Sequence, residues 1–158
     1  MKKIAIPKFK SLKIENIIFD MNGTIQFQGK ITRKVAQKLR ELKKVYNIYL
    51  ISSDTRGNLD EIADELGVNY IKIKTDKMSD AEAKNKELDA LGKEKTITIG
   101  NGNNDSLMLK NACLGLLIIG SEGASTQSLM NSDVVFTNPL DAMDFLLDDK
   151  AMIATLRG

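Results

Sequence analysis

Short apolar runs alternate along the chain with stretches whose apolar residues recur every three or four positions. That exchange of strands with amphipathic helices predicts a layered α/β domain with a largely parallel sheet. Residues 4–6 and 12–14, separated by a turn containing Pro7, predict an N-terminal hairpin, and 16–19 reads as a strand buried on both faces. Thr32 as N-cap, with Val35, Leu39 and Leu42 at helical spacing, predicts a helix whose Lys and Arg residues face water. A strand at 48–51 is followed by a helix with Leu59, Ile62, Ala63 and Leu66 on one side and Gly67 at its end. After a strand at 68–73, Ser79 and Glu82 form a capping box opening a helix with Lys84, Leu88 and Leu91 on its inward line. Lys84 is therefore expected on a buried stripe. Strands at 96–99, 116–119 and 134–136 alternate with helices at 107–112, after Gly123 and from Asn138-Pro139, and a terminal helix is expected within 148–158. There is no repeat and no linker, so residues 1–158 are expected to form one domain.

Composition narrows the chemistry. With 23 Lys plus Arg against 21 Asp plus Glu, the net charge of +2 favours neither nucleic acid nor an anionic membrane as partner. The longest apolar stretch, 114–119, falls far short of the ~20 residues that span a bilayer. The N-terminus lacks the apolar core of a signal peptide, so the cytoplasm is the expected location. The absence of His excludes His general bases, Ser-His-Asp and Cys-His systems and His-ligated zinc. Cys113 stands alone, so no internal disulfide forms, and its apolar neighbours suggest a buried thiol.

In a parallel sheet, function gathers in the loops at the carboxyl ends of the strands. Three such loops carry polar residues: Asp20-Met21-Asn22-Gly23-Thr24, Ser52-Ser53-Asp54-Thr55 and Gly100-Asn101-Gly102-Asn103-Asn104-Asp105. A carboxylate leaving a buried strand is costly unless paired. Asp20 thus needs a metal, an ammonium group or N–H donors, with Lys84 the natural ammonium and Lys77 the alternative. Each loop alone reads as a turn or a cap. Together, in this order and at these intervals, they resemble the haloacid dehalogenase superfamily, and within it the soluble proteins that look like the phosphorylation domain of P-type ATPases. IIFDMNGT resembles the Asp-x-x-Gly-Thr motif, LISSD the ATPase Thr-Gly-Asp, KNKELDAL the helix carrying the third-motif Lys, and IGNGNNDSLML the Gly-Asp-Gly-x-Asn-Asp motif.

The resemblance implies a three-layer Rossmann-like fold and a Mg²⁺-dependent phosphohydrolase forming an aspartyl-phosphate. It implies Asp20 as nucleophile, the Asn22 carbonyl at the metal, and Gly23 and Thr24 shaping the phosphate loop. Ser52 and Ser53 would bind phosphate, and Lys84 would neutralise both phosphate and Asp20. Asn101 and Asp105 would complete the metal site, with Asp54 and Asn104 as secondary members. Two positions depart from the phosphatase pattern. Asn22 replaces the carboxylate that protonates the leaving group and activates water, so hydrolysis is expected to be slow. Asn101 replaces a metal-binding Asp, so Mg²⁺ affinity is expected to be weak. Both precede Gly, a pair prone to deamidation that would recreate the carboxylates.

The intervals from Asp20 to Ser52 and from Asp54 to Lys84 are too short for a cap domain. Residues 25–31 are expected to form a small flap, either contacting a second copy that covers the open site or tucked on its own domain. The expected substrate is a phosphorylated small molecule or phosphoprotein. The alternatives are a non-catalytic or regulatory protein binding phosphate or a partner, and a phosphorylation module working with other subunits.

Overall fold

A computed structural model describes residues 1–158. Strands β1 (Lys2–Ala5) and β2 (Ser11–Ile14) pair antiparallel as the expected hairpin. The main sheet comprises β3 (Asn16–Asp20), β4 (Asn47–Ser52), β5 (Asn69–Lys72), β6 (Thr96–Gly100), β7 (Leu114–Ile118) and β8 (Val134–Phe136). Its order is β5-β4-β3-β6-β7-β8 and every pairing within it is parallel. The chain runs outward from β3 through β4 to β5, then crosses back to lay β6 on the other side of β3. The crevice for a ligand therefore opens at the carboxyl ends of β3 and β6.

Helices α1 (Arg33–Leu42), α2 (Leu59–Leu66), α3 (Asp80–Leu91), α4 (Ser106–Asn111), α5 (Thr126–Met130), α6 (Pro139–Leu147) and α7 (Asp149–Leu156) complete the fold. Alternation along β3 divides the core. Ile17 and Phe19 join the larger cluster with Val35, Leu39, Ala63, Met143 and the hairpin, whereas Ile18 joins Ala83 and Leu88 of α3 and Met108 of α4. Asp20 shares the parity of Ile18 and so emerges toward α3. The predicted caps form: Thr32 accepts from the Val35 N–H, Asn138 from that of Asp141, and Ser79 and Glu82 close the capping box. No helix is long and apolar enough to cross a membrane.

One strand shifts, and the flap adopts one of the two arrangements expected for it. The strand placed at 116–119 is β7, Leu114–Ile118, because Gly115 lets the strand pass directly beneath α4; a methyl group there would collide with the Leu109 carbonyl oxygen. The flap is tucked on its own sheet. Ile25 is 1% exposed within the larger core, the Phe27 ring packs over Gly120, and backbone bonds join Phe27 to Lys30 in both directions. Its apolar side chains leave little to offer a second copy.

Candidate active site

The first, second and fourth strands of the parallel sheet reach the same edge, and the three polar loops converge there with α3. A cavity of about 240 Å³ with no hydrophobic residue in its lining opens among them. Asp20 and Asn22 enter it from the end of β3, Ser52 and Ser53 from β4, and Asn101, Gly102 and Asn104 from the loop after β6. Lys84 reaches in from α3, and Glu122 from the loop after β7.

The centre of the site is a buried chain of charges. Lys84 Nζ donates to Asp20 Oδ1 and to Asp105 Oδ1, each at 2.6 Å. All three residues are buried, Asp105 completely. Their formal charges sum to one negative, in a setting where an unpaired ion would cost several kcal/mol. The geometry follows from two periodicities: strand parity turns Asp20 toward α3, and Lys84 lies one turn before Leu88 on that helix's buried stripe. Burial, then the neighbouring Asp105 charge, pushes the Asp20 carboxyl up to about 6 against the opposing pull of Lys84. For Lys84, burial disfavours the charged form, but the two carboxylates outweigh it and its pKa is raised.

Around this chain, small polar groups fix the carboxylates. The Thr24 hydroxyl lies 3.0 Å from Asp20 Oδ2 and 3.2 Å from Asn101 Oδ1. Asp105 Oδ2 accepts the N–H groups of Asn101 at 2.9 Å and Gly102 at 3.0 Å. Ser52 Oγ accepts the Asp54 N–H at 3.0 Å, leaving its own proton for a ligand.

Several expected site residues take other places. Asp105, expected to bind metal, is wholly buried and does not line the cavity; it pairs with Lys84 and accepts the Asn101 and Gly102 N–H groups, shaping the loop and fixing Lys84. Thr24, expected to shape the phosphate loop, is wholly buried and bonds Asp20 and Asn101 without facing the cavity. Asp54 lines a narrow recess beside the cavity, where Oδ1 accepts the N–H groups of Asn58 and Leu59 and Oδ2 pairs with Lys72. Lys77 is exposed before α3, outside the cavity. Glu122 was not anticipated. Its signal is the one used for the others, a polar residue at the carboxyl edge of a parallel strand, applied to one more loop.

The donors facing the cavity are carboxylate, amide, hydroxyl and backbone oxygens, the set that suits a hard cation such as Mg²⁺. No three acidic, His or Cys side chains cluster closely enough to hold a metal by themselves. A cation here must therefore draw on the Asn101 and Asn22 oxygens as well as Asp20, and with that addition the residues fit one.

An uncharacterized protein of Methanocaldococcus jannaschii, MJ0073, is 48% identical over 83 residues, covering 50% of this chain and 89% of its own length. A chloroplastic copper-transporting ATPase of Arabidopsis thaliana, PAA1, is 29% identical over 129 residues, which are 77% of this chain but 13% of the ATPase. The fold is similar to that of the 3-deoxy-D-manno-octulosonate 8-phosphate phosphatase of Moraxella catarrhalis, solved with magnesium, phosphate and a KDO molecule. The TM-score is 0.71 at 19% identity, covering 92% of this chain and 94% of that one. The cobalt-bound deoxy-D-mannose-octulosonate 8-phosphate phosphatase of Haemophilus influenzae gives 0.70 at 14% identity, with the same coverage. Residues 26–112, more than half of the chain and including Ser52, Lys84, Asn101 and Asp105, match the model for haloacid dehalogenase-like hydrolases. This chain belongs to the haloacid dehalogenase-like hydrolase family.

Proposed function

We propose that the protein is a slow Mg²⁺-dependent phosphohydrolase that works through an aspartyl-phosphate on Asp20. The observation that carries this reading is a buried carboxylate at the floor of an entirely polar cavity, held by an ammonium group that a second carboxylate fixes in turn. Asp20 Oδ attacks phosphorus, the phosphorus–oxygen bond to the leaving group breaks, and the phosphoryl group resides on Asp20 until water displaces it. Lys84 spreads positive charge over Asp20 and the transferring group, while the Ser52 hydroxyl and the Ser53 N–H are placed to bind phosphoryl oxygens. Asp20, Asn101 and the Asn22 carbonyl would hold a Mg²⁺, which would supply further charge neutralisation.

The cavity lies below the ~300–1,000 Å³ of a drug-sized pocket, which suits a phosphoryl group and a cation with the leaving group outside. The folds it shares with phosphatases of a phosphorylated sugar acid support a phosphorylated small molecule as substrate. Asn22, which cannot donate or take up a proton, supports slow turnover. It also favours a second reading, a long-lived phosphoenzyme or phosphate-binding protein.

Incubation with Mg²⁺ and an aryl phosphate or acetyl phosphate, beside Asp20→Ala, tests the proposal. Phosphate release lost in the variant is expected. Acid-stable label on Asp20 without release would favour the second reading, and neither label nor release would overturn the first.

A further inference from the structure

We propose that Glu122 is an acidic ligand of the divalent cation, supplying from the loop after β7 the carboxylate that Asn101 lacks; this rests on reading the cavity as a Mg²⁺ site. Glu122 sits in a tight turn in which the Gly123 N–H donates to the Gly120 carbonyl at 2.9 Å, with Gly123 at φ 75. That turn is bound to the loop carrying Asn101: the Ser125 N–H donates to the Asn101 carbonyl at 2.9 Å and the buried Ser128 hydroxyl to that of Gly102. The Glu122 turn is therefore tied directly to the Asn101 loop.

Their side chains meet over Gly23. A methyl group built on Gly23 would stand 2.6 Å from Glu122 Oε2 and closer still to Asn101 Nδ2. Glu122 has no cationic partner in the cavity, whose one lysine is committed to Asp20 and Asp105. With Glu122, the charges of Asp20, Lys84 and Asp105 sum to two negatives, which a divalent cation offsets.

Thr24 gives the second argument. Its hydroxyl carries one proton but faces two acceptors, Asp20 Oδ2 and Asn101 Oδ1. A half-turn of the Asn101 amide lets its NH₂ donate to Thr24, leaves the Thr24 proton on Asp20, and turns the amide oxygen toward Glu122. Two acceptors then face each other with no donor between them, an arrangement that a cation stabilises.

Calorimetric titration with MgCl₂ alone tests this in the native protein, Glu122→Gln, and Glu122→Gln combined with Asn101→Asp. The single variant is expected to weaken Mg²⁺ binding about 10- to 100-fold, the double variant to recover it, and thermal unfolding in EDTA to be unchanged by Glu122→Gln. Native affinity in Glu122→Gln overturns the assignment, as does failure of Asn101→Asp to restore binding. So does unchanged affinity accompanied by loss of the alkaline limb of the rate profile, which would make Glu122 a proton donor. If the native protein itself binds no Mg²⁺, the proposed function fails with it; if it binds and the variant binds equally, only Glu122 is removed.

Discussion

At positions 22 and 101 an amide stands where a carboxylate would do more. Asn22 is exposed to the cavity, so Asn22→Asp adds a proton carrier without repacking the core. Turnover of an aryl phosphate should rise by about 10²–10⁴, read as kcat at saturating Mg²⁺. Deamidation will not make this change unaided. The backbone nitrogens that would attack the two amides are held, that of Gly23 by the Gln26 carbonyl and that of Gly102 by Asp105. Peptide mass spectra of aged, folded protein should show both Asn residues intact. Lys84→Met leaves two buried carboxylates facing one another without their cation, and urea unfolding should register a loss of about 3–5 kcal/mol. Cys113 is a quieter group: burial pushes its thiol up to about 11, so at pH 8 it should react with an aromatic disulfide reagent only as the protein unfolds. The Lys84 side chain was legible in the sequence because helical spacing ties it to Leu88. Glu122 carries the same carboxyl-edge signal as the other loops, but it lies outside the recognised motifs, and its place at the cavity shows only when its turn is folded against the Asn101 loop. Nor does a motif reveal which of its carboxylates faces the cavity: Asp20 does, and Asp105, expected at the metal, does not.

Helix α2 shows an element held from outside its own sequence window. Asn58 stands at its N-cap but makes no side-chain cap bond. The N–H groups of Asn58 and Leu59, which lack intrahelical partners, are instead taken by Asp54, which adopts φ 55 to reach them. Asp54→Ala should cost about 1–2 kcal/mol, the range of a lost cap, measured by chemical denaturation. The Lys72 ammonium, together with these N–H groups, holds the Asp54 carboxyl below its ordinary range. Its contribution is therefore present above the ordinary Asp pKa and lost as pH falls through the lower folded value. The stability gap between native protein and Asp54→Asn should narrow on acidification. The same residue donates its N–H to Ser52 Oγ, so the cap also aims the hydroxyl proposed to bind phosphate. A sequence shows that Ser-Ser-Asp precedes a helix; it does not show that the cap skips the adjacent Asn58.

Across the whole molecule, the sheet order decides where chemistry can occur. β3 and β6 are neighbours, so loops eighty residues apart in the chain open onto one crevice. Alternating patterns made the strands and helices legible but not the order of the sheet, since periodicity alone does not say on which side of β3 the chain returns. If the crevice holds cation and phosphate together, adding both should raise the melting temperature more than either alone. Ligand at a hundredfold its dissociation constant contributes about 2.7 kcal/mol, and Asp20→Ala should abolish the joint effect. The close approach of β7 to α4 at Gly115 has a reach of its own. Any side chain there must lever α4 off the sheet, and α4 begins beside Asp105, the anchor of Lys84. A single added carbon at the opposite end of that helix would thus register as a misaligned Lys84 and, on the proposed mechanism, a screen for inactive variants would recover position 115 beside position 20.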